Sequence, residues 1–453
     1  MVNIKEIENG IETSVNMIKN RVGDTGKVIV LVSGGVDSMV TAALLLKALP
    51  VENVYAIHVD HGFMRKNESD FVCVQLEKLG FKNFLRVNAQ DKFLYTKAEL
   101  DEGEFAGPLI EVADPELKRK IIGSLFIEVV KEAADTFNLD YDKTFIAQGT
   151  LKPDLIESGN PDIGDETNRV KTHHNDVDIV RKARAKGLII ETNWNWYKDE
   201  VRQVARMLGI DEEIASRQPF PGPGLAVRQL CSNKNIVINE ENIKLFDGFI
   251  NNLNIKRTEF VYGLVAPILS VGVRDEKRSY KNLAVLYGEG TDADFERLSK
   301  IAAEIPKELN FINRYAYVLN KKNISGLKQS ELTMAAENTE LLRETDYIIT
   351  KEISKWLKEN PGEANKISQY FGVLTPICGT AACPCCSNGK KYSVVIRVFV
   401  TVDFMTGKAA IPGKDIPLKV LRRIVDRIEA ECHDIDLVLY DMTDKPPATV
   451  EWE

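Results

Sequence analysis

The chain of 453 residues has no excess of positive charge. Its 59 Lys and Arg stand against 67 Asp and Glu, a net charge of −8 with both signs interspersed. Without a basic field it is not a general nucleic-acid binder, although local basic groups can still serve a phosphorylated small molecule. It also lacks any run near the roughly 18 apolar residues of a membrane span. Its first residues, MVNIKEIENG, carry charge where a secretory signal is apolar. The expectation is a cytoplasmic protein with no membrane partner. Cysteine is sparse and odd in number, seven in all, which argues against a disulfide framework.

Four of those cysteines, Cys378, Cys383, Cys385 and Cys386, crowd into CGTAACPCC. A CxxC lies inside, but it lacks the second pair or nearby His of a zinc site. A plain loop, a metal site and redox or sulfur chemistry all stay open.

Against these lacks stands 44% hydrophobic content, enough to fill the cores of about three domains at this length. The most informative stretch is VIVLVSGGVDSMVTAALLLKAL, Val28 to Leu49. Val28 to Val32 is a continuous β-branched run suited to a buried parallel strand, and Val40, Ala43, Leu44 and Leu46 fall at helical spacing. Between them Ser33-Gly34-Gly35 must turn. Adjacent glycines permit close backbone approach and aim N–H groups outward at the positive end of the following helix dipole, an anion seat. Gly-Gly turns also join strands to helices without binding anything. The flanking serines and Asp37 favour the anion reading, and the absence of GxxxxGK[ST] and GxGxxG excludes those phosphate loops.

Further on, VYAIHVDHGF reads as a second strand ending at Asp60-His61-Gly62, on the edge where parallel sheets present ligand sites. His58 and His61 fit packing or surface roles as well. DPELKRKIIGSLFIEVVKEAADTF is a long amphipathic helix with Lys118, Arg119 and Lys120 near its start, a solvated basic face by the plainest reading. Lys171-Thr172-His173-His174-Asn175 resembles a lid. Three prolines and two glycines from Pro219 to Gly224 mark a domain boundary.

The second half reads as the same motif twice, strand, strand, helix, strand: APILSVGVRDEKRSYKNLAVLY onward, then YSVVIRVFVTVDFMTG onward. The polar segment Lys321 to Asn365 between them is helical. DKPPATVEWE combines rigid prolines with an alternating strand, and such an ending suggests a site.

The SGGVDS loop resembles the PP-loop of ATP pyrophosphatases. Together with VDHGFMRKNES, KRKIIG, AQGTLKPDLIES, KTHHND, KDEVR, PFPGPGL, SVGV…RSY, DFMTG and DMTDKPPATVEWE, in that order, it resembles the synthetase part of the GMP synthetase family. The resemblance implies an α/β protein: a parallel-sheet ATP pyrophosphatase (adenine nucleotide alpha hydrolase-like) domain at 1–225, then α+β dimerisation-type copies at 226–330 and 331–453. It implies adenylation of the XMP C2 oxygen by ATP and displacement of AMP by ammonia, with Mg²⁺ as cofactor. Ser33, Gly34, Gly35, Val36, Asp37, Ser38, Asp60 and Gly149 would hold ATP and pyrophosphate, with Asp37 also the metal ligand. Asp37, Lys171, His173 and His174 would be catalytic. Arg119, Gln369, Lys445, Val450 and Glu451 would contact XMP.

The chain departs from the family pattern at Arg217-Gln218, where the family has Arg-His. A second departure is ETNWNWYKDEV, richer in Trp and Asn than the family's EPL…KDEV. Phe260 stands where shorter members carry the XMP glutamine, and Gln369 supplies one in the second copy. The 27 residues before the first strand contain neither Cys nor His, so no glutaminase nucleophile is expected there and a separate glutamine amidotransferase subunit is a candidate partner. A homodimer is expected from the family. The rival readings are a relative that inserts sulfur through CPCC, and a nucleotide-binding scaffold without activity.

Overall fold

The computed structural model describes residues 4–100, 103–140, 142–151, 183–255, 262–274, 277–364, 366–380, 391–401 and 406–453. Lys171, His173, His174, Phe260 and Cys383, Cys385 and Cys386 lie outside the described residues. The chain divides into two compact units, Met1–Ala106 with Lys120–Gly222, and Gly107–Arg119 with Pro223–Glu453. Among the described residues no helix is long and apolar enough to cross a membrane.

The first unit opens with helix α1 (Ile4–Val22) and strand β1 (Lys27–Leu31), followed by α2 (Val36–Ala48), β2 (Val54–Asp60), α3 (Glu68–Leu79) and β3 (Asn83–Asn88). Helix α4 (Pro115–Asp135) contributes its first residues to the second unit and the rest to the first. Strands β4 (Thr144–Gln148) and β5 (Ile189–Glu191) and helix α5 (Lys198–Met207) complete the unit. The five strands form one sheet in the order β3-β2-β1-β4-β5 with every pair in it parallel. Val28, Val30 and Val32 and the α2 residues Met39, Val40, Leu44 and Leu45 are buried in one core with Ile11 and Ile18 of α1. A strand buried on both faces needs a continuous apolar run, which explains why β1 does not alternate. From β1 the chain builds the sheet first to one side through β2 and β3, then returns to the other side with β4 and β5. That makes β1 and β4 the topological switch point, where open parallel sheets bind ligands beyond their carboxyl ends.

The second unit contains α6 (Glu240–Ile255), β6 (Tyr262–Arg274), β7 (Lys277–Tyr287), α7 (Phe295–Ala302), β8 (Ile312–Val318), α8 (Ala336–Glu359), β9 (Gln369–Thr375), β10 (Tyr392–Val400), α9 (Leu418–Glu431) and β11 (Ile435–Asp441). Its main sheet runs β9-β10-β11-β8-β7-β6, with the short strand Lys408–Ala409 added beside β10. In each half an outer strand pairs antiparallel with the middle one, which pairs parallel with the inner one. The inner strands β8 and β11 pair antiparallel at the centre. The duplicated motif therefore forms one sheet with pseudo-twofold order. The boundary expected at residue 330 falls inside a single compact unit, because the two copies complete each other's sheet. In the second copy the outer strand is β9, upstream of the cysteine segment, rather than part of the YSVV stretch.

The expected terminal strand is also revised. Residues 443–453 form no strand, yet Ala448 and Trp452 are fully buried. They hold the sheet edge through bonds from Val271 N to Trp452 O, 3.0 Å, and from Val273 N to Pro447 O, 2.8 Å.

Candidate active site

In the first unit the turn after β1 has the geometry its residues require. Gly34 sits at φ +83°, and a Cβ there would come within 2.6 Å of Val72 Cγ2. Gly35 is the N-cap of α2 and no side chain caps the helix, so its first-turn donors are not engaged by a capping side chain. Ser33 and Ser38 hydroxyls lie 3.3 Å apart, and Ser38 Oγ donates to Gly35 O at 3.0 Å. Asp37, half-buried, follows within the first turn. Gly149 comes directly after β4, and a Cβ on it would sit 3.1 Å from Asp37 O. Asp60 ends β2. The loop Ser33–Ser38, Asp60 and Gly149 thus all belong to the carboxyl ends of neighbouring strands, as the sequence predicts.

Asp60 is held differently from the loop. Burial pushes its carboxyl up, but hydrogen bonds from Arg86, Ser69 and Gly62 outweigh this and keep it below the ordinary aspartate range. Arg86 Nη2 lies 2.8 Å from it. His58 bridges Val32 O, at 2.7 Å, and Ser69 Oγ, at 3.0 Å, and so ties β2 to the residue before the loop. Its role is packing.

Three further contributors were given no role by the sequence reading. Arg217 Nη1 donates to Gly34 O at 3.0 Å and lies 3.0 Å from the buried carboxylate of Glu68. Thr192 and Asn193, inside the divergent ETNWNW segment, are fully buried against the first turns of α2. The unusual composition was the only signal for them.

Of the expected XMP residues in the second unit, Lys445, Val450 and Glu451 belong to the terminal segment and Arg119 touches it. Arg119 Nη2 donates to the main-chain oxygen of Glu453. Lys118 is not part of a solvated face, contrary to expectation. It is 1% exposed, and its ammonium donates to Ala226 O (3.2 Å), Gln229 O (2.8 Å) and the Glu453 carboxylate. Glu451 accepts a bidentate pair from Arg228, at 3.0 and 2.9 Å, and that guanidinium stacks 3.9 Å from the Phe371 ring centroid. Gln369, two residues before Phe371, pairs with Phe399 across β9 and β10, and its buried Oε1 has no hydrogen-bond partner among the described residues. Lys445 exchanges backbone bonds with Gly407, which lies against the Phe399 ring. Val450 packs on the sheet core. A cavity of about 400 Å³ in this unit is lined by Pro115, Cys231, Leu269, Tyr280 and Glu453 among others, but by none of the five expected XMP residues.

The described cysteines are poorly suited to nucleophilic work. Burial pushes the Cys231 thiol up to about 12 and also raises Cys73 and Cys378. Cys432 is buried. A reactive cysteine needs a depressed pKa and access.

No cluster of three or more His, Cys, Asp or Glu among the described residues could hold a metal ion. Mg²⁺ is commonly bound by one or two carboxylates together with substrate phosphates, so Asp37, in the first turn of α2 after the glycine loop, suits it without such a cage.

A strand, a glycine turn with an open helix start and a half-buried aspartate, at the switch point of a parallel sheet, define a nucleotide-binding α/β protein of the PP-loop type. Residues 9–118 match the family model described as NAD synthase, and residues 357–452 match GMP synthase C terminal domain. Over 99% of the chain, 35% of residues are identical to the probable GMP synthase (glutamine-hydrolyzing) of Caenorhabditis elegans, of which the alignment covers 66%. The corresponding figures are 34%, over 97% of this chain and 64% of the relative, for the GMP synthase of Dictyostelium discoideum. For the probable GMP synthase of Leptospira interrogans they are 32%, 99% and 67%. The chain belongs to the GMP synthase family. It spans about two thirds of the length of these curated relatives.

Proposed function

We propose that this chain carries the synthetase half-reactions of GMP formation: XMP and ATP give an adenylated XMP and pyrophosphate, and ammonia displaces AMP from C2 to give GMP. The observation that supports this most is the convergence of Ser33–Ser38 and Gly149 on the switch point of the parallel sheet. C2 of xanthine bears a poor leaving oxygen, and coupling it to AMP makes it displaceable. Charge develops on pyrophosphate as it departs, and the preorganised backbone donors of the loop and the α2 dipole face that charge. Mg²⁺, when bound, would neutralise phosphate charge next to Asp37. In the second unit Arg119 and Lys445 suit the XMP phosphate, while Gln369, Val450 and Glu451 suit its ribose and base. Arg228 keeps Glu451 oriented for that role through its bidentate pair. Lys171, His173 and His174 belong to the proposal as lid residues. So do a cytoplasmic location and a homodimer.

The nitrogen donor in this reading is ammonia, with glutamine served by a separate amidotransferase; the raised thiols of Cys73, Cys231 and Cys378 among the described residues support it. The test feeds XMP and MgATP with ammonium or with glutamine and separates the products by chromatography. GMP, AMP and pyrophosphate are expected from ammonium alone. A sulfur-containing product, GMP from glutamine, or no XMP-dependent AMP would each overturn the corresponding part.

A further inference from the structure

Thr192 and Asn193 follow directly after β5, far in sequence from the loop, yet both reach the start of α2. Asp37 O accepts Thr41 Oγ1 at 3.0 Å and Asn193 Nδ2 at 3.0 Å. Two side chains therefore hold one main-chain carbonyl, and one of them comes from the segment after β5. The orientation of the amide is not arbitrary. The Asp37 carbonyl can only accept, so Nδ2 is the atom that faces it, and Asn193 Oδ1 then lies 3.0 Å from Thr192 Oγ1. The Thr192 hydroxyl also lies 2.9 Å from Thr41 Oγ1, whose own proton goes to Asp37 O, so its single proton serves one of the two acceptors, Thr41 Oγ1 or Asn193 Oδ1, at a time.

The latch stands on rigid ground. Thr192 N donates to Gln148 O of β4 at 3.1 Å, and Thr192 O accepts from Ser14 Oγ of α1 at 3.2 Å. There is no slack beside it, since a Cβ on Gly149 would lie 2.9 Å from Thr41 Oγ1 and 3.2 Å from Asn193 Nδ2. Folding alone does not demand this arrangement: matched apolar side chains of the same shape would be nearly neutral in stability. What the polar latch adds is a fixed main chain at Asp37, the base from which its carboxylate projects. Mg²⁺ requires near-ideal octahedral geometry, so a small rotation of a ligand-bearing residue is costly there.

We propose that Asn193, acting with Thr41 and Thr192, is a positioning residue that sets Asp37 for Mg²⁺-nucleotide binding. The inference rests on the reading of the Ser33–Ser38 loop as the ATP site.

The test measures binding rather than turnover. Calorimetric titration of α,β-methylene-ATP, with and without Mg²⁺, would compare the full chain with N193L, T41V, T41S and the N193L/T41V double variant. Loss of one buried donor is expected to weaken Mg²⁺-dependent affinity about fivefold to tenfold in N193L and in T41V. T41S, which keeps the hydroxyl, should stay near the parent. Because both donors hold one atom, the double variant should weaken binding by less than the product of the single effects. XMP affinity should not change.

If N193L lowers the unfolding temperature yet leaves Mg²⁺-nucleotide affinity intact, Asn193 is structural only and the proposal is overturned, as it is if the two effects multiply. An unchanged affinity in both single variants, with cooperative unfolding retained, overturns it equally. Failure of the parent chain to bind the nucleotide at all would instead overturn the ATP-site reading. Binding that responds as expected in a chain that forms no GMP would leave this inference standing and remove the activity reading.

Discussion

His61 lies between two aromatic rings, 5.6 Å from the Phe63 centroid and 5.7 Å from that of Phe93, and its Nδ1 accepts from Phe63 N at 3.1 Å. The acceptor role places the proton of the neutral ring on Nε2. Burial lowers its pKa from 6.5 to about 4. The unfolded chain therefore takes up a proton at this site before the folded chain does. Its contribution is fully present above pH 6.5 and is lost as pH falls through that value toward about 4, roughly 3 kcal/mol in all. Replacing His61 with Asn retains an acceptor without a titrating ring. Thermal unfolding from pH 7 to pH 4 should show a shallower loss of stability for H61N than for the parent, and parallel curves would refute the assignment. From the sequence alone His61 fitted packing as readily as a ligand contact, because burial is a property of the assembled sheet edge.

Among the elements, β8 and β10 show how a charged residue survives in an apolar run. INRYAYV and YSVVIRVFV each carry one arginine, Arg314 and Arg397, and both side chains are fully buried. They flank β11 and share Asp441 Oδ2, at 3.0 and 3.2 Å, with the Trp452 indole donating to the same oxygen at 3.0 Å. Burial pulls the Arg314 pKa down to about 9, against the opposing pull of Asp441, which leaves it charged at neutral pH. Replacing Asp441 with Asn would keep the shape but leave two buried guanidiniums facing a neutral amide. By analogy with other broken buried pairs, the cost should be about 3–5 kcal/mol. Denaturant unfolding of D441N measures it, and a loss below about 1 kcal/mol, the scale of an exposed pair, would show the centre to be well hydrated. The strands and the duplication were legible in the apolar periodicity. The charge centre was not, since its members lie 127 positions apart between Arg314 and Asp441.

Across the whole second unit, the terminal segment is part of the core as well as part of the candidate XMP site. Removing Glu451, Trp452 and Glu453 would take away a fully buried tryptophan, the partner of Arg228 and the partner of Lys118. Loss of the tryptophan alone is expected to cost about 3–5 kcal/mol. Truncation should therefore raise the XMP requirement and lower the unfolding temperature together. Titration of XMP beside thermal unfolding checks this, and a changed XMP requirement with unchanged stability would mean that the segment serves only the ligand. Glu451→Gln separates the two roles, because it spares Trp452 and Glu453 while weakening the pair with Arg228.

The glycine loop, the parallel strand before it and the helix after it were readable from local chemistry. Two glycines, two serines and an aspartate between a β-branched run and a helical period leave few alternatives, since all the constraints act within about ten residues. The repeat was readable for the same reason, as each copy carries its own periodicity, except that the outer strand of the second copy lies upstream of the stretch where it was expected. That the copies merge into one sheet depends on β8 meeting β11, a pairing no local pattern encodes. Lys118 looked solvated because its three acceptors come from residues 226, 229 and 453. Asn193 looked merely unusual because the carbonyl it holds lies 156 residues away. Local sequence constrains backbone conformation and apolar faces, whereas the partners of a buried polar group are chosen by the packing of distant segments.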